Sequence, residues 1–420
     1  MIWSEDMFLT IGEKIKAARK KYNLKQVVFE PYGFSRNYIS MIETNKRVLN
    51  DEASQLIYQA LCELTDAEFE KEYSYKTFCE DPQTQAYNWL TENIDIKTIK
   101  DRYGELIHIA KKYELSKCLI NIESTLGEYY KIQRDYFKSN DHFLKAIAYC
   151  IHFNENNAAL YEKAGVNLFN IGKYKESLSY FELALQCLDD STPLLHKVNY
   201  DIAISYLYDD EYDKSLPWID KVMEQDENLA IKASAYLLKE TALKKLGDAE
   251  GGRKVLLEYI EKDFHRPYIG IAYHNLAVNY DDCKLYDEAL ESIKLSLEYP
   301  VDDFGRALRQ GLMGTIYFKL GKFEDSLELF KKTKDDALRL CNASQCLMIF
   351  EWGLDLYWHF QEYNDIMSLL TEANELVLQQ KISKSSYYSL QNKIYKKIIN
   401  HLDPNQEKNV KLYELLQKIT

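Results

Sequence analysis

The sequence predicts an all-α protein, and three observations carry that prediction. Among 420 residues there are only 7 prolines and 15 glycines against 34 tyrosines, so the two residues that interrupt helices are scarce. Hydrophobic residues make up 46% and charged residues 28%, a core-forming composition that excludes disordered and collagen-like chains. An aromatic residue after a short polar turn returns every 37–40 residues along most of the chain, as stacked helical hairpins require.

Composition also bounds the function. No run of 18 apolar residues occurs, and the N-terminal MIWSEDMFLT lacks the basic flank and apolar core of a signal peptide. A cytoplasmic protein with no membrane partner is expected. The eight cysteines are scattered without a C-x-x-C spacing, so they read as reduced thiols rather than zinc ligands or a redox pair. The net charge of −13 is unevenly spread. From Leu9 to Asn50 nine basic residues face three acidic ones, giving a head of +6 on a body of −19. A basic head suits contact with a polyanion, although a merely solvated basic helix has the same charge.

The head is read as short helices. Ile11, Ile15 and Ala18 fall at helical spacing, with Lys14, Lys16, Lys20 and Lys21 on the other faces, so residues 9–22 form an amphipathic helix that Asn23 ends. A second element runs from Lys25 to Phe29 and closes at Pro31-Tyr32-Gly33; Ser35 then caps a helix reaching Glu43, with Ile39 and Ile42 facing inward. A further helix carries Ala53, Leu56, Ile57, Ala60 and Leu61. This is a compact helix-turn-helix unit.

Its residues Ile11-Gly12-Glu13-Lys14-Ile15, Arg19, Leu24-Lys25-Gln26, Gly33 through Glu43 and Lys46-Arg47 closely resemble the phage-repressor-like (XRE-type) helix-turn-helix. Two departures stand out. The interval from Gln26 to Gly33 is one residue short of the family's usual spacing, and Lys25 replaces the Ser or Thr that commonly caps helix two. The resemblance implies that the helix begun by Ser35 enters the major groove of double-stranded DNA, with Arg36, Asn37 and Met41 toward base edges. Gln26, Ser40, Lys46 and Arg47 would hold phosphates, and Tyr38 would do either or pack. A helix-turn-helix kept only for docking or dimerisation is the alternative.

In the body the recurring anchors are Tyr136, Tyr174, Tyr212, Ala249, Tyr286, Phe323 and Tyr363. Three residues after each stands a mostly small residue, and four further on a large one: Phe143, Phe181, Ile219, Leu256, Ile293, Phe330 and Leu370. Nine residues before each anchor stand Gly127, Gly165, Ala203, Glu240, Ala277, Gly314 and Leu354, so one helix is small where its partner is large. The pattern resembles the tetratricopeptide repeat, most clearly over 168–185, 273–297 and 313–330, and is weakest at Glu240 and Ala249. At least seven hairpins are expected to stack into a right-handed α-solenoid with a concave groove. The division is then 1–70 for the head, 71–84 for a connector and 85–420 for the repeats.

The groove is the second candidate site. First helices of the repeats carry Asn167, Asn170, Asn199, Tyr200, Lys244, His274, Asn275 and Lys319. Asn side chains both donate and accept, so a row of them can satisfy the main chain of an extended peptide. Apolar pockets are expected near Val166, Phe169, Tyr208 and Phe318. Any single Asn serves equally as surface or inter-helix polarity. No H-E-x-x-H, G-x-x-x-x-G-K-[ST], G-x-S-x-G or dinucleotide fingerprint occurs, and no two histidines have ligand spacing. Neither an enzyme nor a metal or cofactor is indicated.

An XRE-type head followed by such repeats resembles the RRNPP family of Gram-positive intracellular peptide-pheromone receptors. The resemblance implies a cytoplasmic homodimeric transcription regulator controlled, as in quorum sensing, by a short linear signalling peptide in the groove. The rival reading is a repeat-based interaction protein that binds and sequesters another protein, with the head secondary.

Overall fold

The computed structural model describes residues 8–189, 192–224, 228–401 and 414–417. Among these residues there are helices and turns and no strand. The chain divides into two compact units, Met1–Asp190 and Ser191–Thr420.

The first unit opens with α1 (Ile11–Lys21), a 3₁₀ helix (Gln26–Tyr32), α2 (Arg36–Glu43), α3 (Asp51–Leu64) and the short α4 (Glu68–Glu72) and α5 (Tyr75–Cys79). Each boundary has a local cause. Thr10 and Glu13 form a reciprocal capping box on α1, and Ser35 and Asn50 cap α2 and α3 with their side-chain oxygens. Asn23 ends α1 in the left-handed conformation at φ 59°, and Gly33 does the same after the 3₁₀ helix at φ 90°. The shortened Gln26–Gly33 interval becomes 3₁₀ rather than α. Such a helix rises about 2.0 Å per residue against about 1.5 Å for an α-helix, so fewer residues span the same distance. Lys25 supplies no side-chain cap.

Ile15, Ile39, Ile42, Ile57 and Leu61 form the head's core as their spacing predicts, Phe29 joins them without such a signal, and Leu56 is 42% exposed. Phe69 and Phe78 complete that core, so the expected connector contributes a helix and a core residue to the head. Lys14 departs from the expected basic exterior. It is 1% exposed, and its Nζ donates to the carbonyls of Thr77, Phe78 and Glu80 at 2.6, 3.1 and 2.8 Å. These are terminal carbonyls of α5 that no helical N–H can reach.

Next come α6 (Pro82–Asn93) and α7 (Ile96–Lys112), then the hairpins α8 (Ser116–Ile132)/α9 (Tyr136–His152) and α10 (Ala158–Asn170)/α11 (Tyr174–Gln186). The second unit continues with α12 (Pro193–Tyr208)/α13 (Tyr212–Met223), α14 (Leu229–Lys245)/α15 (Ala249–Lys262) and α16 (Ile269–Asp282)/α17 (Tyr286–Glu298). It ends with α18 (Asp303–Lys319)/α19 (Phe323–Leu340), α20 (Ala343–His359)/α21 (Tyr363–Leu378) and α22 (Lys384–His401). All seven anchors are the first residue of a second helix. Two residues before each, the chain turns through a left-handed residue: Arg134, Gly172, Asp210, Gly247, Lys284, Gly321 and Gln361. That shared turn sets the repeat.

The interlock is steric. A Cβ on Gly127 would lie 2.5 Å from the Phe143 ring, and one on Gly165 would lie 2.5 Å from Phe181. Gly314 instead faces Trp352 of the following hairpin, and Phe330 packs against Gly353. The weakest repeat compensates with polarity: Glu240 is buried, accepts from Asn279 Nδ2 at 3.5 Å, and has its carboxyl pushed up by burial.

Candidate nucleic-acid interface and repeat groove

On α2, Ile39, Ile42 and Glu43 are buried while Arg36, Asn37 and Met41 are exposed. At 3.6 residues per turn the exposed three occupy roughly 140° of the helix circumference. Ser40 is half-buried on the same side, and Ser35 is both exposed and engaged, its Oγ accepting from Tyr38 N at 3.3 Å. Lys46 and Arg47 are exposed just beyond the helix. The Arg47 guanidinium lies 4.7 Å from the centre of the Tyr38 ring, which is in turn stacked on Phe34. Tyr38 therefore packs and orients a cation.

Gln26 is placed differently from the other eight. Its Nε2 donates to Glu43 Oε2 at 2.8 Å, and Arg19 grips the same carboxylate with Nε and Nη2 at 2.7 and 3.0 Å. Glu43 is 4% exposed, and its hydrogen bond raises the Arg19 guanidinium above its ordinary value. This cluster joins α1, the 3₁₀ helix and α2, so it fixes the angle of α2. Gln26 acts within it as a strut.

The repeat candidates divide by unit. In the first, Asn167 is wholly buried; its Nδ2 donates to Ser139 Oγ at 2.7 Å, and its Oδ1 is buried without a partner. Asn170 is exposed, with Nδ2 bonded to its own helix at Val166 O, 2.8 Å away. In the second, Asn199 is buried, and the Tyr200 hydroxyl is pushed up chiefly by burial. Lys244 pairs with Asp282 at 3.4 Å and Lys319 with Asp281 at 2.6 Å. Both pairs join consecutive first helices, and each spans 38 residues, one repeat. Asn275 is half-buried.

His274 is the candidate with the most altered chemistry. Burial, with the positive charges of Arg309 and Lys244, pulls its imidazole down to about 4. The ring is neutral at pH 7, and its Nδ1 is buried without a partner. It lines a cavity of about 110 Å³ with Leu308, Gly311, Leu312, Ile349 and Trp352. None of the four residues expected to mark apolar pockets lines it. Sequence spacing within one hairpin does not report a cavity that needs three.

Among the described residues no cluster of His, Cys, Asp and Glu could hold a metal ion, and no helix is long and apolar enough to cross a membrane. The architecture is a helical solenoid of tetratricopeptide type. The crystal structure of the apo form of RapI has a TM-score of 0.53 to it at 13% identity, over 81% of this chain and 97% of that one. A tetratricopeptide repeat protein from Parabacteroides merdae scores 0.46 at 15% identity, over 64% of this chain and 98% of its own. YrrB, described as a TPR protein with an unusual peptide-binding site, scores 0.34 at 19% identity, over 48% and 90%. No protein-family model and no curated protein sequence matches the chain.

Proposed function

We propose that the chain is a sequence-specific regulator of transcription: a cytoplasmic homodimer that binds double-stranded DNA and is controlled by a short linear signalling peptide held by the repeats. The carrying observation is the division of α2 into a buried face, Ile39 and Ile42, and an outward face, Arg36, Asn37 and Met41. Arg can donate twice to guanine O6 and N7, and Asn can pair with adenine N6 and N7, each worth about 1–3 kcal/mol of discrimination. Lys46 and Arg47 supply phosphate contacts that set register without reading sequence. Two heads of a dimer address half-sites one helical turn, about 34–36 Å, or a multiple of it apart.

Control by a peptide requires differential binding to two conformations. A swing from 1:99 to 99:1 takes about 5.5 kcal/mol. Of the amide candidates, exposed Asn170 and half-buried Asn275, with the apolar cavity beside His274, support an uncharged extended segment as the ligand.

The test is enrichment of fragmented genomic DNA by the purified full chain at about 150 mM salt, where non-specific phosphate binding fades. One or a few sites are expected to be enriched. Arg36→Ala with Asn37→Ala abolishes that enrichment and leaves the melting temperature unchanged, because both side chains are exposed. Enrichment of the same sites by the double variant would refute the assignment of α2, and retained gene regulation by that variant would favour an interaction protein that sequesters a partner.

A further inference from the structure

Helix α9 is apolar on two sides. Phe143, Ala146, Ile147 and Cys150 are buried against α8 and α10, as its place in the stack requires. On the outward side Phe137 is 71% exposed, Leu144 37% and Ile151 67%. With exposed Asp141 and Ala148 between them, these fall at i, i+4, i+7, i+11 and i+14, the spacing of a helix-to-helix seam. The other second helices differ. One residue after the repeat anchor, where α9 has Phe137, they carry Lys175, Asp213, Glu250, Asp287, Glu324 and Asn364. Seven residues further on, five of those six have Glu, Asp, Lys, Lys and Thr where α9 has Leu144. A helix with one packed side keeps its other side polar; a second apolar side asks for a second neighbour.

The pattern identifies that neighbour. Leu144 stands seven residues from Phe137 and seven from Ile151, so a two-fold axis beside Leu144 sets Phe137 of one chain on Ile151 of a second copy, and Leu144 on itself, in an antiparallel pair. An isologous contact, in which residue i meets j and j meets i, needs this symmetry of a surface. The polar edge is self-complementary as well. Asp141 and Lys145, paired at 2.7 Å within the helix, lie on one flank of the stripe, and the same axis places Asp141 of each copy about 3 Å along the seam from Lys145 of the other. The four charges cancel. That matters because two chains of net charge −13 repel wherever their contact is not neutral.

We propose that the outward face of α9 is an isologous interface, on which a second copy of this chain docks its own α9 antiparallel about a two-fold axis at Leu144. This helix lies in the unit that carries α2, so the contact joins the two head-bearing units directly. It gives the homodimer of the reading above its seam, and it rests on that reading for the claim that two copies act together. Two helices of 17 residues, each about 25 Å long, cover less than the roughly 1,200 Å² of a standard interface, so the pairing depends on concentration.

The test uses the full chain with the exposed Cys283 replaced by Ser. Sedimentation velocity over about 1–100 μM should show monomer passing to dimer. Leu144→Glu sets two carboxylates against each other on the axis, and Phe137→Lys gives α9 the residue that α11 carries at that position; each should weaken the dimer more than about 10-fold with helicity unchanged. Cysteines then read the register. At an interaxial distance of about 8–10 Å, with Cα atoms about 2.3 Å from each axis, the two copies of position 144 stand about 4–6 Å apart, which a disulfide spans. Leu144→Cys should therefore cross-link alone under mild oxidation. Phe137→Cys and Ile151→Cys should cross-link only when mixed, because like positions lie about 21 Å apart along the seam. Dimerisation that survives both Leu144→Glu and Phe137→Lys, or a dimer in which Leu144→Cys does not cross-link, would overturn this face and leave a homodimer formed elsewhere. A chain that stays monomeric throughout would overturn both the face and the homodimer, while the assignment of α2 is judged separately by its own enrichment.

Discussion

Replacing Lys14 by Met tests whether the head is pinned to the segment that follows it. Among the described residues the Lys14 ammonium is the one side-chain donor to the carbonyls of Thr77 and Phe78, and it shares Glu80 O with Gln85. Met keeps an unbranched side chain one atom shorter and removes every donor. The Phe78 contact is fully buried, so its carbonyl loses about 1–3 kcal/mol when left unmade; the two half-buried carbonyls can turn to water and lose about 0.5–1.5 kcal/mol each. Recovered desolvation of the ammonium, which burial holds below its ordinary pKa, offsets part of this. The expected net loss is about 2–4 kcal/mol, felt locally where α5 meets α1. A global melt would average it over a long chain, so amide hydrogen exchange is the better assay. Exchange over residues 75–80 should accelerate about 30- to 1000-fold, while α8 to α11 keep their protection. Unchanged exchange over 75–80 in a folded Lys14→Met protein would refute the pin.

Two further outcomes follow from the repeats. Gly165→Val should destabilise by about 1–3 kcal/mol through overpacking, because its Cβ would meet the Phe181 ring at 2.5 Å; Phe181→Leu in the same chain should recover part of that, and additive losses in urea denaturation would show that the two do not interlock. His274 should make stability fall on acidification: its imidazole is near 4 in the folded chain and about 6.5 when unfolded, so between those values the unfolded state binds the extra proton. The contribution is complete above about pH 6.5 and is lost as pH falls, by about 2 kcal/mol at pH 5. Equal pH slopes for wild type and His274→Gln would exclude it.

Much of this fold is legible in the sequence because its determinants are local. The seven anchors mark the starts of seven second helices, since each follows the same left-handed turn, and the Gly127–Phe143 and Gly165–Phe181 contacts fall where the small-to-large spacing puts them. Interactions between neighbouring hairpins are less visible. Gly314 reads as the partner of Phe330 within its own hairpin, yet it is Trp352, 38 residues on, that fills the space above it. Lys244 and Lys319 read as groove cations, yet each has an acid one repeat away, as do Lys334 with Glu372 and Lys393 with Asp355. A search for opposite charges separated by the repeat period finds all four pairs. Lys14 has no such signal: a helical wheel shows that a lysine is on one face of α1, but not that the carbonyl end of another helix will be brought against it from more than sixty residues away.

That contact bears on how a signal could pass through the first unit. A head on a loose tether samples many orientations, and changes in the body then reach it only as changes in effective concentration. Here the attachment runs both ways. Phe78, from the segment after the head, completes the head's core beside Phe69 and Tyr58. Phe8, from before the head, packs its ring on Trp89 of α6 and on Tyr113. Between them Gln85 Nε2 donates to Leu9 O at 2.8 Å, and its Oε1 accepts from Leu9 N at 3.3 Å. Chain that precedes α1 and chain that follows α5 are thus held against the same helix, and Lys14 ties α1 to the end of α5. An element fastened on both sides turns with its support, so a displacement of α6 carries α2 with it as a rigid body. For the regulator proposed above, the spacing and tilt of the two recognition helices in a dimer would be set by the packing of α6 to α8, without independent freedom in the head.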